Sequence, residues 1–246
     1  MLTIAEIGSN YRDFDDILNY CHRLNADVIK IQYYTSMDLY GFVGKGADST
    51  LTGSELTELK STCENLKKKL MISIFNHRRV KELDHLIDYH KVASSEITYI
   101  PLLEEMAATG KDVFVSTGGA TRDEISQAVS IIGKDRTILM GCNVEYPTNN
   151  SWPFDGLYHG KEHGCRWGYS DHSKDVFLVH KVCDSIGAYA WEKHVKFDSI
   201  SVKPDSEVAI TVGEFNRAVI GSWLPKPNPY KRKLFSNKQR IGWYRP

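Results

Sequence analysis

A closed (β/α)8 TIM barrel is the fold that this sequence predicts, on three observations. Short apolar runs alternate with amphipathic stretches from end to end, about eight times, the pattern of repeated strand–helix units around a parallel sheet. The 246 residues, 41% of them hydrophobic, suffice for the core of one such unit. No glycine-rich dinucleotide fingerprint follows the first apolar run, which counts against an open doubly wound sheet, the lesser reading.

The predicted strands are Leu2 to Ile7, Asp27 to Gln32, Leu70 to Phe75, His90 to Ser94, Asp112 to Ser116, Thr137 to Cys142, Arg166 to Tyr169 and Tyr189 to His194. Between the second and third, Ser54 to Lys69 carries Leu56, Leu59, Cys63 and Leu66 at three- and four-residue spacing, a helix with one apolar face. Thr121-Arg-Asp-Glu124 reads as a capping box opening a helix that Gly133 ends, and Thr211-Val-Gly-Glu214 has the same form. Two connections are long, Tyr33 to Gly53 and Asn143 to Cys165, and loops of that length commonly serve a site. The barrel is expected over residues 1–222. An extended basic tail follows over 223–246, with Trp223-Leu-Pro-Lys-Pro-Asn-Pro-Tyr230 and Lys231-Arg-Lys233.

Equal numbers of acidic and basic residues, 31 of each, argue against a nucleic-acid surface but leave room for a small anionic ligand. Cys21, Cys63, Cys142, Cys165 and Cys183 are scattered and lack a CxxC spacing, so neither a disulfide framework nor a zinc cluster is expected, and a reducing cytoplasm fits. Neither a signal peptide nor an apolar run of membrane-spanning length is seen, so no membrane partner is expected.

In a barrel of this type the C-terminal strand ends converge on one face, where residues remote in sequence meet. His172, in Trp167-Gly-Tyr-Ser-Asp-His172, and His194, in Trp191-Glu-Lys-His194, close two consecutive strands. Histidines this far apart can be unrelated core or surface residues; their matching positions point instead to a shared metal ion, for which imidazole is a suitable ligand. Lys30 and Lys91 each lie among residues that a sheet buries, and a buried ammonium needs an anion. With hydroxyls from Ser94, Ser116 and Ser170 and amides of the Gly118-Gly119 turn they suit a phosphate or carboxylate; internal salt bridges to Glu6, Glu96 and Glu192 would satisfy them equally. Glu6 and Glu96 are candidates for acid/base work or for holding hydroxyls, and Asp171 for orienting a histidine.

These strand ends together resemble the sialic acid synthase family, the N-acetylneuraminate synthases and their legionaminate and pseudaminate relatives. The matching runs are Ile4-Ala-Glu-Ile-Gly-Ser-Asn10, Ala26-Asp-Val-Ile-Lys-Ile-Gln32, Lys91-Val-Ala-Ser-Ser-Glu-Ile97, Val115-Ser-Thr-Gly118, Glu145-Tyr-Pro-Thr148, Gly168-Tyr-Ser-Asp-His172 and Glu192-Lys-His194, in family order. The resemblance implies condensation of phosphoenolpyruvate with an N-acylated aldose such as N-acetylmannosamine, giving a nonulosonic acid and phosphate. It implies that His172 and His194 hold a divalent metal, manganese in the first instance with magnesium or cobalt as alternatives. Lys30, Lys91, Ser94, Ser116 and Ser170 match positions that hold phosphoenolpyruvate. Gln32, Glu96, Tyr146 and Asp205 match positions near the sugar and the metal, and Glu6 one that assists proton and water chemistry. A homodimer is also implied.

The chain departs from the family pattern at Asn10-Tyr-Arg-Asp13, at Val144, at Val202-Lys-Pro-Asp205, and at Ser73-Ile-Phe-Asn76, where Ile74 replaces a threonine on the phosphate side. Family members generally continue into an antifreeze-protein-like domain whose arginine reaches the sugar's acyl group in the partner subunit. The sequence given stops short of one, and the basic tail is a candidate substitute. Two alternatives follow: a related condensation with a different, phosphorylated acceptor, favoured if Arg12, Arg78 and Arg79 face the pocket, or a barrel without catalysis acting as a binding or accessory protein.

Overall fold

In the computed structural model, which describes residues 1–40, 49–148, 154–173, 176–197 and 204–221, the apolar runs form a closed parallel barrel. The elements follow in the order β1 (Leu2–Glu6), α1 (Phe14–Arg23), β2 (Val28–Tyr33), a short α2 (Ser36–Tyr40), α3 (Gly53–Asn65), β3 (Lys69–Ile74) and a one-turn α4 (Val80–Leu83). Then come β4 (Tyr89–Val92), α5 (Ile100–Ala108), β5 (Val113–Ser116), α6 (Arg122–Ile132), β6 (Thr137–Cys142) and α7 (Phe154–His163). The circuit ends with β7 (Arg166–Asp171), α8 (Val176–Ser185), β8 (Ala190–Lys196), β9 (Ile210–Thr211) and α9 (Val212–Val219). Each of the first eight strands pairs with the next, and β1 pairs with β8 from Leu2↔Ala190 to Glu6↔His194, which closes the ring. All eight strands expected from sequence are present, with ends shifted by no more than two residues. The extended basic tail expected over 223–246 lies outside the described residues, apart from which no described helix is long and apolar enough to cross a membrane.

The helix starts follow their capping chemistry. Thr121 and Glu124 cap α6 reciprocally, as Thr211 and Glu214 cap α9, and Gly133 ends α6 in a left-handed conformation. The stop of α3 differs from expectation. It ends at Asn65 rather than continuing to Lys69, because Lys67 takes a positive φ of 56° and the amide of Lys68 turns back to the carbonyl of Cys63 at 2.8 Å. A lysine in the left-handed position gives no sequence signal of the kind a glycine gives.

Strand parity divides the interior in two. Side chains facing the helices join the larger core, which includes Ile29, Leu70, Val113, Leu139, Tyr169 and Trp191. Those facing the barrel axis begin with an apolar plug of Ile4, Val28, Met71, Phe114, Ile138, Met140 and Ala190. Two residues further along the same strands the axis-facing positions become Glu6, Lys30, Ser73, Ser116, Cys142 and Glu192, all buried. Polar chemistry therefore begins one pleat above the plug. Tyr20 of α1 ties the rim together: its hydroxyl donates to the carbonyl of Asn10 (2.7 Å) and accepts from the amide of Phe197 (2.9 Å), while its ring stacks on Phe197.

On the helix side of β4, His90 is fully buried against Asp84 (3.2 Å) and Thr109 (3.0 Å), with Lys111 on the same carboxylate. Burial pushes its imidazole down to about 4, against the opposing pull of Asp84. The unfolded chain then takes up the proton first as pH falls below its ordinary value near 6.5, so stability is lost from there down to the folded value. Denaturant titrations should show about 2 kcal/mol less stability at pH 5 than at pH 7 from this group, and a shallower pH dependence in His90→Gln. An unchanged slope in the variant would exclude His90 as the source.

Candidate active site at the C-terminal mouth of the barrel

A cavity of about 280 Å³ opens above the polar layer, lined among others by Lys30, Gln32, Lys91, Ser94, Ser116, Tyr146, Ser170, His172 and His194. The sequence reading names all nine. Glu192, expected from the sequence as a salt-bridge partner, also lines it, as do Ser73, Phe75 and Cys142, which were not singled out. The signal for them was parity: Ser73 stands two residues beyond Met71, and Cys142 two beyond Met140, on the inward face.

The two lysines have different partners. Lys30 contacts Glu6 in an ion pair and lies 3.5 Å from Glu192. Lys91 donates to Ser116 Oγ at 2.6 Å and to the carbonyl of Val92 at 3.2 Å. Among the described residues its closest carboxylate is Glu192 at 4.0 Å. Burial pulls the Lys30 ammonium down to about 8, against Glu192. Burial pushes Glu192 up, but Lys30, Lys91 and the Ser170 hydroxyl, 2.8 Å away, outweigh it and hold this carboxyl at about 2. Internal pairing thus satisfies Lys30, while Lys91 keeps a hydroxyl partner and an incomplete counter-charge. Because Ser116 accepts from Lys91, its own O–H remains available to a ligand. Ser170 spends its proton on Glu192.

His172 is oriented from both sides. Its Nδ1 donates to the carbonyl of Asn143 at 2.6 Å, which leaves Nε2 as the lone pair, and Tyr146 Oη donates to it at 2.9 Å. The His194 ring lies 5.7 Å from that of His172 between centroids, and its Nδ1 is buried without a hydrogen bond. Burial lowers both imidazoles, His194 to about 3, so each stands neutral, the form that binds a metal. Asp205 stands beside His194 and accepts from Ser9 N (2.9 Å) and Ser9 Oγ (3.0 Å). Burial raises its carboxyl, but His194 and the Ser9 donors bring it below the ordinary range. Two neutral imidazoles suit a divalent cation, which would take the place of the Tyr146 hydroxyl on His172 Nε2. Among the described residues no three His, Cys, Asp or Glu side chains are grouped as a metal site, so water or substrate would fill the remaining positions.

Three residues of the sequence reading sit elsewhere. Glu6 is buried beneath the floor, its Oε1 accepting from Gly8 N at 2.6 Å and its Oε2 against Lys30, so it supports the cavity without lining it. Asp205 lies behind His194, outside the lining. Glu96 turns into an adjoining pocket of about 320 Å³ with Asp38, Asn76, His77, Arg78 and Tyr99, across Phe75, and burial raises its carboxyl. The expected arginine cluster is dispersed: Arg12 pairs with Asp16 at the outside of α1, Arg79 pairs with Glu82, and only Arg78 borders the adjoining pocket. Ile74 packs into the helix-facing core, so the inward residue at this point is Ser73.

The NeuB family model matches residues 46–222. A pseudaminic acid synthase of Helicobacter pylori is 25% identical over 95% of this chain and 74% of its own length. An N,N'-diacetyllegionaminic acid synthase of Campylobacter jejuni is 28% identical over 85% of this chain and 71% of its own. The crystal structure of an N-acetylneuraminic acid (sialic acid) synthetase from Leptospira borgpetersenii, in complex with citrate, shares the fold with a TM-score of 0.77 at 24% identity, covering 98% of this chain and 92% of that one.

Gly8 has a positive φ of 55°, and a Cβ there would fall 2.4 Å from Asp205 Oδ2 and 3.3 Å from His194 Nδ1. Gly8→Ala is expected to cost about 2 kcal/mol, from left-handed strain and the clash together, and to lower Tm by about 4–8 °C. Gly53→Ala, where the added methyl meets nothing within 4 Å, should leave Tm unchanged or raise it. Equal melting of the two variants would show that the Gly8 contact carries no weight.

Proposed function

This chain belongs to the NeuB family of phosphoenolpyruvate-dependent synthases, and from that premise we propose that it joins phosphoenolpyruvate to an N-acylated aldose, forming a nonulosonic acid and releasing phosphate. The observation that carries this reading is Lys91, a buried ammonium with a hydroxyl partner and its nearest carboxylate 4.0 Å away, on the wall of a polar cavity.

Lys91 and the Ser116 hydroxyl donate to one anionic group of phosphoenolpyruvate, with the Ser94 hydroxyl on the same wall. Lys30 is held upright by Glu6 and Glu192 and adds positive potential. The ionised Glu192 accepts from Ser170 and attracts both lysines, Lys30 at 3.5 Å and Lys91 at 4.0 Å. Gln32 and Tyr146 line the same cavity, and they are the groups suited to hold the acceptor sugar's hydroxyls. When bound by His172 and His194, a divalent cation, manganese with magnesium or cobalt as alternatives, would supply Lewis-acid polarisation of the aldehyde oxygen. C3 of phosphoenolpyruvate then forms the new bond to the aldehyde carbon, water adds at C2, and the C–O bond to phosphate breaks. A site built from neutral imidazoles on one wall and lysines on the other separates the acceptor's electron-deficient carbon from the donor's anionic groups. The dispersal of Arg12, Arg78 and Arg79 removes the observation that would have favoured a phosphorylated acceptor.

Phosphate release from phosphoenolpyruvate should require manganese and one member of an aldose panel that includes N-acetylmannosamine and phosphorylated and unacylated sugars. His194→Ala should abolish it. Lys91→Met should lower kcat/KM for phosphoenolpyruvate by about 100-fold, the loss of a charge-assisted contact worth about 3 kcal/mol. Silence across the panel from folded, manganese-loaded protein would refute the condensing enzyme and favour a binding role.

A further inference from the structure

β8 carries three consecutive charged or metal-binding side chains, Glu192, Lys193 and His194. Parity sends Glu192 and His194 into the cavity and Lys193 to the opposite face, among the helix-facing residues Trp191 and Val195. The lysine is wholly buried there. Its ammonium donates to the carbonyls of Asp171 (3.0 Å) and Ser173 (2.5 Å) and stands 3.7 Å from Asp171 Oδ1. Those two carbonyls flank His172. The Asp171 carboxylate closes the same turn by accepting from Ser173 N at 2.8 Å, and the carbonyl of His172 accepts from Thr148 N. β7 ends at Asp171, so the backbone that carries His172 has left the sheet and needs other partners.

A buried ammonium is an expensive way to satisfy two carbonyls, since hydrophobic residues of similar volume commonly replace buried ion pairs without loss of stability. What the lysine adds is a fixed distance. It is covalently adjacent to His194 and bonded on both sides of His172, so a single side chain sets the spacing of the two imidazoles. We propose that Lys193 is a positioning residue, a clamp on the back of the barrel wall that holds His172 in register with His194 for a divalent cation. The inference rests on the reading of those histidines as metal ligands. Groups behind first ligands commonly contribute 10–100-fold to metal affinity.

The test is titration of the full chain with Mn²⁺ alone, followed by the electron paramagnetic resonance signal of the free ion. Lys193→Met keeps the stem and removes the clamp; Lys193→Met with Asp171→Asn also removes the carboxylate left without a counter-charge. Both should fold and bind Mn²⁺ about 10–100-fold more weakly than wild type. His90→Gln, a buried change on the far side of the barrel, should keep wild-type affinity even where its Tm falls as much. Wild-type affinity in the folded lysine variants, a loss no greater than that of His90→Gln, or failure of both variants to fold would overturn the clamp alone. Mn²⁺ binding indifferent to both His172→Ala and His194→Ala would overturn the metal reading and the clamp with it.

Discussion

The buried ion array of Glu6, Lys30 and Glu192, with Lys91 at its edge, is the constraint around which the upper half of the barrel is organised. Charges removed from water are tolerated only when paired and hydrogen-bonded, and here each group answers another on a neighbouring strand. Glu6 on β1 meets Lys30 on β2, Lys30 faces Glu192 on β8, and Glu192 takes the Ser170 hydroxyl from β7. Lys30 on β2 thus bridges carboxylates on β1 and β8, the two strands whose backbone pairing closes the ring. The same array leaves Lys91 the least neutralised member, which turns a structural requirement into a place for an anion.

The apolar plug beneath this array explains how it can exist. Ile4, Val28, Met71, Phe114, Met140 and Ala190 fill the axis one pleat lower, so the charged layer has a dry floor and opens only upward. A dry floor strengthens every charge interaction above it, because water cannot screen from below. The longest strand reaches furthest past the plug. β8, with seven residues, presents Glu192 and then His194, whereas the four residues of β5 end at Ser116. Strand length therefore grades the wall from lysines and hydroxyls, low on one side, to imidazoles, high on the other.

Much of this was legible in the sequence. Apolar alternation located the strands, because each is buried on at least one face, and reciprocal Thr/Glu caps located α6 and α9. The end of α3 was not legible because a lysine, rather than a glycine, takes its left-handed position. In the site, strand ends signal ionisable and metal-binding residues such as His172 and Lys91, whereas Ser73 and Cys142 on the same inward face carry no such signal. Partner choice was also hidden: two lysines with similar flanks differ only because Glu6 sits across from Lys30 in the register, and nothing comparable sits across from Lys91. Glu96 illustrates the converse, a residue close in sequence to the site whose single turn aims it into the next pocket.

The polar character of the wall at β7 and β8 extends through its thickness, and this bears on how the two imidazoles can stay fixed. Inward, Ser170 and Glu192 form one hydrogen-bonded rung; outward, Asp171 and Lys193 form the next, in register along the same strand pair. The inward rung ends in the ionised carboxylate that steadies the lysines, and the outward rung ends in the ammonium that holds the turn of His172. A loop carrying a ligand on its own would sample many positions, and each hydrogen bond that restrains it reduces the entropy left to lose on binding. His172 has its ring held by the Asn143 carbonyl and its flanking carbonyls by Lys193, while His194 is carried by the strand itself. The free energy spent on burying charge at this seam is thereby converted into preorganisation of a part of the rim where two separate strands bring two imidazoles together.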